Sequence, residues 1–422
     1  MTPKNQDSAV GDAECSKSPS DACAPEARSR RTFLKDAASC IAAVTAGGLM
    51  PVLANAAAAQ PPGPTYVYIG CFTSRERKAQ GNGISVYRMD QPGGAWTLVQ
   101  VLETLPNPQF ICFDRTQRFL YSVHGDGTEV SAYAIDRSNG KIAFLNKRPT
   151  DGKNSAHLTI DPGNRYLVIG NGPGTAVFPI REDGSLAPYT DMVPGPGEPG
   201  PHRNQVRVGA HPHYVSFDPS GRFLIAVDRG VDRLHIYRLD TASGKLIVND
   251  PGFAITRRGA GPRHLAFHPS QPWAYTCNEL DSTVTAFTWD STRGELKPFE
   301  VITTLPVTYT GNNSPAEIMF APSGKFVYVS NRGHNSIVTY SVDPANGMLA
   351  PVGWEPTGGR TPRFFTLDPS GERLYAANLE SHNIVVFRVD RESGKLAATG
   401  QFIETGSPSC ILFLRPGGAM TG

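Results

Sequence analysis

The sequence predicts an all-β fold, a seven-bladed β-propeller of four-stranded antiparallel blades. Three observations point to it. A unit recurs, its copies opening at Pro108, Ser155, Pro212, Pro262, Pro315, Pro362 and Pro408, so that successive starts lie 47, 57, 50, 53, 47 and 46 residues apart, the spacing of propeller blades. The 43 glycines and 36 prolines, 79 of 422 residues, greatly exceed the roughly 12 % of average usage, and much of the excess falls in turns that repeat with the unit. Apolar positions alternate with period two, as from Ile337 to Val342, and no segment sustains a helical stripe.

The first 59 residues stand apart from this pattern. Ser29-Arg30-Arg31-Thr32-Phe33-Leu34-Lys35 precedes a weakly apolar stretch, Ala37 to Leu53, that ends in Ala54-Asn55-Ala56 and Ala57-Ala58-Ala59. The arginine pair, the Phe-Leu pair and the trailing Lys resemble a twin-arginine export signal with a signal-peptidase site. Residues 1–59 are therefore expected to be a leader read by the twin-arginine export machinery and cleaved after Ala56 or Ala59, and residues 60–422 a single propeller domain, periplasmic or otherwise exported. Ala37 to Leu53 is too poor in Leu, Ile, Val and Phe for a membrane span, and no later segment approaches the length of about 20 apolar residues that one needs.

Each unit opens with Pro and a short strand, passes a Pro-Ser-Gly type turn into a second strand, and continues through a third strand to a Gly-centred turn. The clearest copy runs from Pro315 to Gly359, with turns at Pro322-Ser323-Gly324 and Asn346-Gly347-Met348-Leu349. Proline presets φ for the first turn, and glycine tolerates positive φ. Six full units lie between Pro108 and Gly406. Tyr66 to Glu103 lacks an opening strand, while Pro408 to Phe413 is only an opening strand. Pairing the two segments closes a ring of seven blades without an edge, which makes a monomer the expected state.

Net charge is +2, with charged residues only 18 % of the chain and no basic run, which argues against a nucleic-acid partner. Of seven cysteines, Cys71, Cys112, Cys277 and Cys410 follow the leader. They show no CxxC or Cys/His metal spacing and read as small buried residues on strands. No cofactor or metal site is expected.

Antiparallel pairing brings the start of each first strand and the end of each second strand to one face. Asn171, Asp228, Asn278, Asn331 and Asn378 recur there, as turn-capping residues do. What breaks the repeat is more informative, because only the fourth to sixth blades gather His213, Arg263, Glu279, Glu317 and Arg332 at this mouth. The longest inter-blade linker, Pro194 to Gly209, carries His202 and Arg203 and reads equally as a solvated loop or a pocket wall.

The strings His211-Pro212-His213, Gly261-Pro262-Arg263-His264, Asn278-Glu279-Leu280-Asp281, Ser314-Pro315-Ala316-Glu317-Ile318 and Ser330-Asn331-Arg332-Gly333-His334 resemble the seven-bladed lactonase family, which joins 6-phosphogluconolactonases to carboxymuconate cyclases. Cys71 and Phe72 depart from the residue types usual after its first-blade strand. The resemblance implies a catalytic set of His213 (or His211), Arg263, Glu279 and Arg332, and the aligned mouth positions His211, His264, Glu317, Asn278, Asn331 and Arg363 are expected around the substrate. In the reading that follows, the arginines grip an anion and stabilise the oxyanion formed as water adds to a lactone carbonyl. Glu279 or His213 activates the water and the other protonates the leaving alkoxide, a carboxylate in a shielded mouth having a raised pKa. The expected ligand is a lactone or other small organic acid. A cyclase acting on an unsaturated dicarboxylate and a non-catalytic binding propeller stand as alternatives.

Overall fold

The computed structural model describes residues 64–414. The expected leader, with its arginine pair and cleavage positions, lies outside the described residues. Among the described residues no helix is long and apolar enough to cross a membrane.

Seven four-stranded antiparallel sheets form the fold. Blade four, for example, runs outward through Pro212–Phe217, Leu224–Asp228, Arg233–Asp240 and Lys245–Ile255. Blade five begins with Pro262–Phe267 and Trp273–Asn278, and blade six with Ser314–Phe320 and Phe326–Arg332. The ring closes as expected: Pro408–Leu414 pairs antiparallel with Thr65–Cys71, from Tyr66 opposite Leu414 to Gly70 opposite Cys410, and becomes the innermost strand of blade one.

The recurring turns form because their side chains satisfy the backbone locally. Asp161 Oδ1 accepts from the amides of Arg165 and Tyr166, and Oδ2 from that of Gly163. Asp114, Asp218 and Asp368 do the same in their own blades, and in blade five His268 Nδ1 accepts instead. Alternation along the strands then leaves apolar residues on both faces of every sheet, and these pack between neighbouring blades. Val227 and Leu234 of blade four, for instance, share a core with Ala274 and Phe287 of blade five. A polar tether recurs across these interfaces. Tyr68, Tyr121, Tyr275 and Tyr328 each donate a buried hydroxyl to the carbonyl of a turn glycine in the next blade, Gly140, Gly184, Gly347 and Gly394.

The linker from Pro194 is neither a bare loop nor all irregular. It contains the helix Arg203–Val208, where the His202 ring accepts from the Asn204 amide and the Gln205 side chain accepts from the His202 amide, a capping box. Gln205 is buried and donates to the Arg229 carbonyl and to Asp232, which fixes the helix beside the mouth.

The four cysteines among the described residues, Cys71, Cys112, Cys277 and Cys410, are free thiols. Burial pushes the Cys71 thiol up to about 11 and the Cys277 thiol to about 12, so they do not form nucleophiles at neutral pH.

Candidate active site

The mouth is shaped by a β-bulge repeated in the innermost strands. In blade four Pro212 pairs with Asp228 and Tyr214 with Val227, leaving His213 as an extra residue. The same shift leaves Arg263 extra in blade five and Arg363 in blade seven, and in blade six it sets Ala316 and Glu317 against Ser330 alone. A bulge re-aims a side chain by breaking the ladder locally. Here it lets His213, Arg263 and Arg363 meet at the axis with the residues that follow the second strands.

Glu279 is the centre of that meeting. Arg229 Nη1 donates to its Oε1 at 2.9 Å, Arg263 Nε lies 3.3 Å from Oε2, and Arg332 Nη2 lies 3.5 Å from Oε2. The Glu279, Arg229 and Arg332 side chains retain 12 %, 17 % and 14 % exposure, so they can be reached from solvent. Arg332 is held from behind by the carbonyls of Ser314 and Pro315, and Arg263 by the carbonyl of Ala316. Arg363 donates to Gln109 Oε1 at 3.3 Å and stacks its guanidinium 5.1 Å from the Phe72 ring centre.

Burial by itself would raise the Glu279 carboxyl, but the guanidinium groups of Arg229, Arg332, Arg263 and Arg363 outweigh it and hold the group well below the usual carboxylate range. Glu279 is therefore ionised. The raised carboxyl is Glu317, which burial pushes up to about 8 against the opposing charge of Arg263. Burial and then Arg332 lower the Arg263 pKa to about 10, so it remains a cation at neutral pH. Burial, then Arg263, lowers His213, and burial, then Arg229, lowers His211; both are neutral imidazoles.

The expected site residues thus divide by depth. Glu279, Arg263, Arg332, Arg363 and His213 gather at the mouth. His211 lies at its rim, its ring centre 5.8 Å from that of His213 and its Nε2 3.1 Å from the Asn154 carbonyl. His264 and Glu317 sit one layer below, joined at 3.0 Å. Asn278 and Asn331 are enclosed and hold neighbouring chain: Asn278 donates to Thr283 and Thr285, and Asn331 to the Thr304 carbonyl. Arg229 was not among the expected site residues. Its signal was available, since it follows the second strand of blade four as Glu279 follows that of blade five.

Among the described residues no three His, Cys, Asp or Glu side chains are grouped as metal ligands. Polar atoms without partners cluster at the axis instead. They include Nδ1 of His211 and of His213 and Nε2 of His264, while Nε of Arg263 has only its ion pair with Glu279.

The model of the family "Lactonase, 7-bladed beta-propeller" matches residues 66–413. The chain is 34 % identical over 287 residues to the 6-phosphogluconolactonase of Bacillus subtilis, covering 67 % of this chain and 79 % of the relative. Among solved structures it is similar to the periplasmic gluconolactonase of Pseudomonas aeruginosa, with a TM-score of 0.77, 30 % identity and coverage of 84 % of this chain and 100 % of that one. It is also similar to a putative 6-phosphogluconolactonase of Bacteroides fragilis, with a TM-score of 0.76, 28 % identity and coverage of 83 % and 98 %. With the bulged axial strands and the arginine-ringed carboxylate in place, the chain belongs to the seven-bladed β-propeller lactonase family.

Proposed function

We propose that the protein is an exported, monomeric lactonase that opens an aldonolactone without a metal, using arginines to hold the anionic centre. The observation that carries this reading is the charge at the mouth: Arg229, Arg263, Arg332 and Arg363 surround a single ionised carboxylate, Glu279. Three positive charges are left without a protein counterpart, because Glu317 below them is protonated at neutral pH. Such a site favours an anion, whether a carboxylate or phosphate on the substrate or the oxyanion that develops when water adds to the lactone carbonyl.

The proton carrier in this reading is His213. It is neutral, and of its two ring nitrogens Nδ1 is buried without a protein partner, which leaves Nε2 to take a proton from the attacking water. A bound anion offsets the field of Arg263 and strengthens the imidazole as a base at that moment. Collapse of the tetrahedral intermediate breaks the ring C–O bond, and the leaving alkoxide recovers the proton from His213. Water is consumed, and the product is a hydroxy acid that ionises. Glu279 has no proton to give and is a weak base under four guanidinium groups; it aligns Arg229, Arg263 and Arg332.

Export is supported by the Ser29 to Lys35 string and is in keeping with a relative named as a periplasmic gluconolactonase. The test is hydrolysis of glucono-lactones, with and without phosphate, by the mature protein and by His213→Ala and Arg263→Ala. Each variant is expected to lose on the order of 10²-fold in kcat/KM. Wild-type rates in both would overturn the assignment.

A further inference from the structure

Below the mouth the axis is filled by one layer of side chains. Phe110 and His157 pack with ring centres 4.3 Å apart, His157 and Tyr214 4.1 Å, Tyr214 and His264 4.9 Å, and Phe110 and Phe364 5.6 Å. Each residue comes from the innermost strand of a different blade, and Glu317 of blade six belongs to the same layer. On the side of this layer away from the arginines, the channel opens into a cavity of about 800 Å³, lined among others by Phe110, Tyr214, Phe364 and Glu317.

The two oxygens of Glu317 are used differently. Oε1 accepts from the Ile318 amide at 3.1 Å and lies 3.0 Å from His264 Nδ1. Oε2 is buried and has no partner, although the residue is only 4 % exposed. A buried carboxyl oxygen left without a donor is costly unless a ligand supplies one. The surrounding ring faces carry negative π charge, which favours a cation over an anion or a neutral group.

We infer that the lower cavity binds a small organic ammonium ion, whose N–H donates to Glu317 Oε2 and whose body lies against Phe110, Tyr214 and Phe364. This site lies one layer below the mouth and does not require the reaction assigned there, but ionising Glu317 lowers the uncompensated charge at the mouth from three to two. The charged and titratable groups facing Glu317 are His264 and Arg263 of blade five, Tyr214 of blade four, and the thiols of Cys277 and Cys410. Of these only Arg263 is charged at neutral pH, and it is paired with Glu279. The cavity wall also carries His157, His268, Arg115, whose guanidinium donates to the Asp161 and Ile160 carbonyls, and Asp218, which accepts from the amides of its own turn. In the empty site the carboxyl keeps its proton up to about pH 8. An entering ammonium forms an ion pair with the carboxylate, and the displaced proton goes to solvent.

The test is calorimetric titration of the mature protein with benzylammonium, and with benzyl alcohol as its neutral counterpart, in buffers of different ionisation enthalpy. Expected are release of about one proton per benzylammonium bound at pH 7 and an affinity that rises by nearly tenfold from about pH 6 to 7 and by about fivefold from 7 to 8. Benzyl alcohol should bind at least about tenfold more weakly. Glu317→Gln should weaken benzylammonium by more than about tenfold, and Ala266→Phe, which fills the cavity below the layer, should do so without altering Glu317. Absence of binding, equal binding of amine and alcohol, no proton release, or undiminished binding by Ala266→Phe would each overturn the inference. If Glu317→Gln does not fold, the wild-type proton release and Ala266→Phe decide it.

Discussion

Arg229 and Glu279 hold equivalent places in successive blades, each following its second strand, and Arg229 Nη1 donates to Glu279 Oε1 at 2.9 Å. The ring repeat thus places opposite charges side by side at the axis. The Gln205 side chain fixes the Arg229 backbone from the linker helix, so the pair is held from both sides. Arg229→Met should lower kcat/KM for the lactone by about tenfold or more, mainly through KM if Arg229 grips the ground-state anion. Steady-state kinetics on the folded variant checks this, and unchanged parameters would remove Arg229 from the site.

Glu279→Gln should cost more in stability than any single arginine replacement. It leaves Arg229, Arg263, Arg332 and Arg363 without their shared counter-charge, and breaking a buried pair in this way costs about 3–5 kcal/mol. Sulfate or phosphate should recover part of that loss by occupying the cluster. Denaturant unfolding in chloride and in sulfate measures both; a loss that anions do not reduce would argue against an anion site.

Two sets of buried groups should shape the pH dependence of stability with opposite signs. Burial lowers His124 to about 4 and His157 to about 3, and lowers His211, His213 and His264 as well. Their folded pKa values lie below the unfolded value, so their contribution is present above about pH 6.5 and is lost as pH falls toward the folded values. Glu317 has the opposite sign. Its folded pKa is raised to about 8, so its contribution is fully present below about pH 4.3 and is lost as pH rises through 8. Unfolding curves of wild type and Glu317→Gln should therefore diverge between about pH 4.3 and 8, the variant losing less stability as pH rises. Parallel curves would contradict the raised carboxyl.

The interblade tyrosines give a matched pair of substitutions. Tyr275 donates to the Gly347 carbonyl at 2.6 Å, so Tyr275→Phe should cost about 1 kcal/mol. Tyr375, at the equivalent position of blade seven, stacks on Trp96 but has no partner for its hydroxyl. Tyr375→Phe should be neutral or slightly stabilising, and equal losses in the two variants would refute the distinction.

The fold was legible because its signals are local. A turn such as Asp161-Pro162-Gly163 carries its own capping carboxylate, and repeating it blade after blade fixes both strand count and closure. Much of the mouth was legible too, since aligning the units puts His213, Arg263, Glu279 and Arg332 at one end. Depth was not legible. One extra residue decides whether a side chain meets the mouth or the layer beneath, and a bulge leaves no mark in the apolar pattern. That is why neighbours such as Arg263 and His264, or Ala316 and Glu317, could not be separated by spacing. Which carboxyl is raised also depends on three-dimensional neighbours: Glu279 lies among four guanidinium groups, whereas Glu317 faces aromatic rings.

Blade one receives its axial strand from Pro408–Leu414, which has a consequence for how the protein is made. A chain synthesised only as far as residue 407 lacks the partner for Tyr66 to Gly70 and also Cys410, which lines the cavity below the mouth. It carries an open strand edge of the kind that invites pairing with other chains. The ring is therefore finished only when the last strand leaves the ribosome. A product that stops short of Pro408 loses more than its tail, because the missing strand is the one that turns a row of blades into a circle.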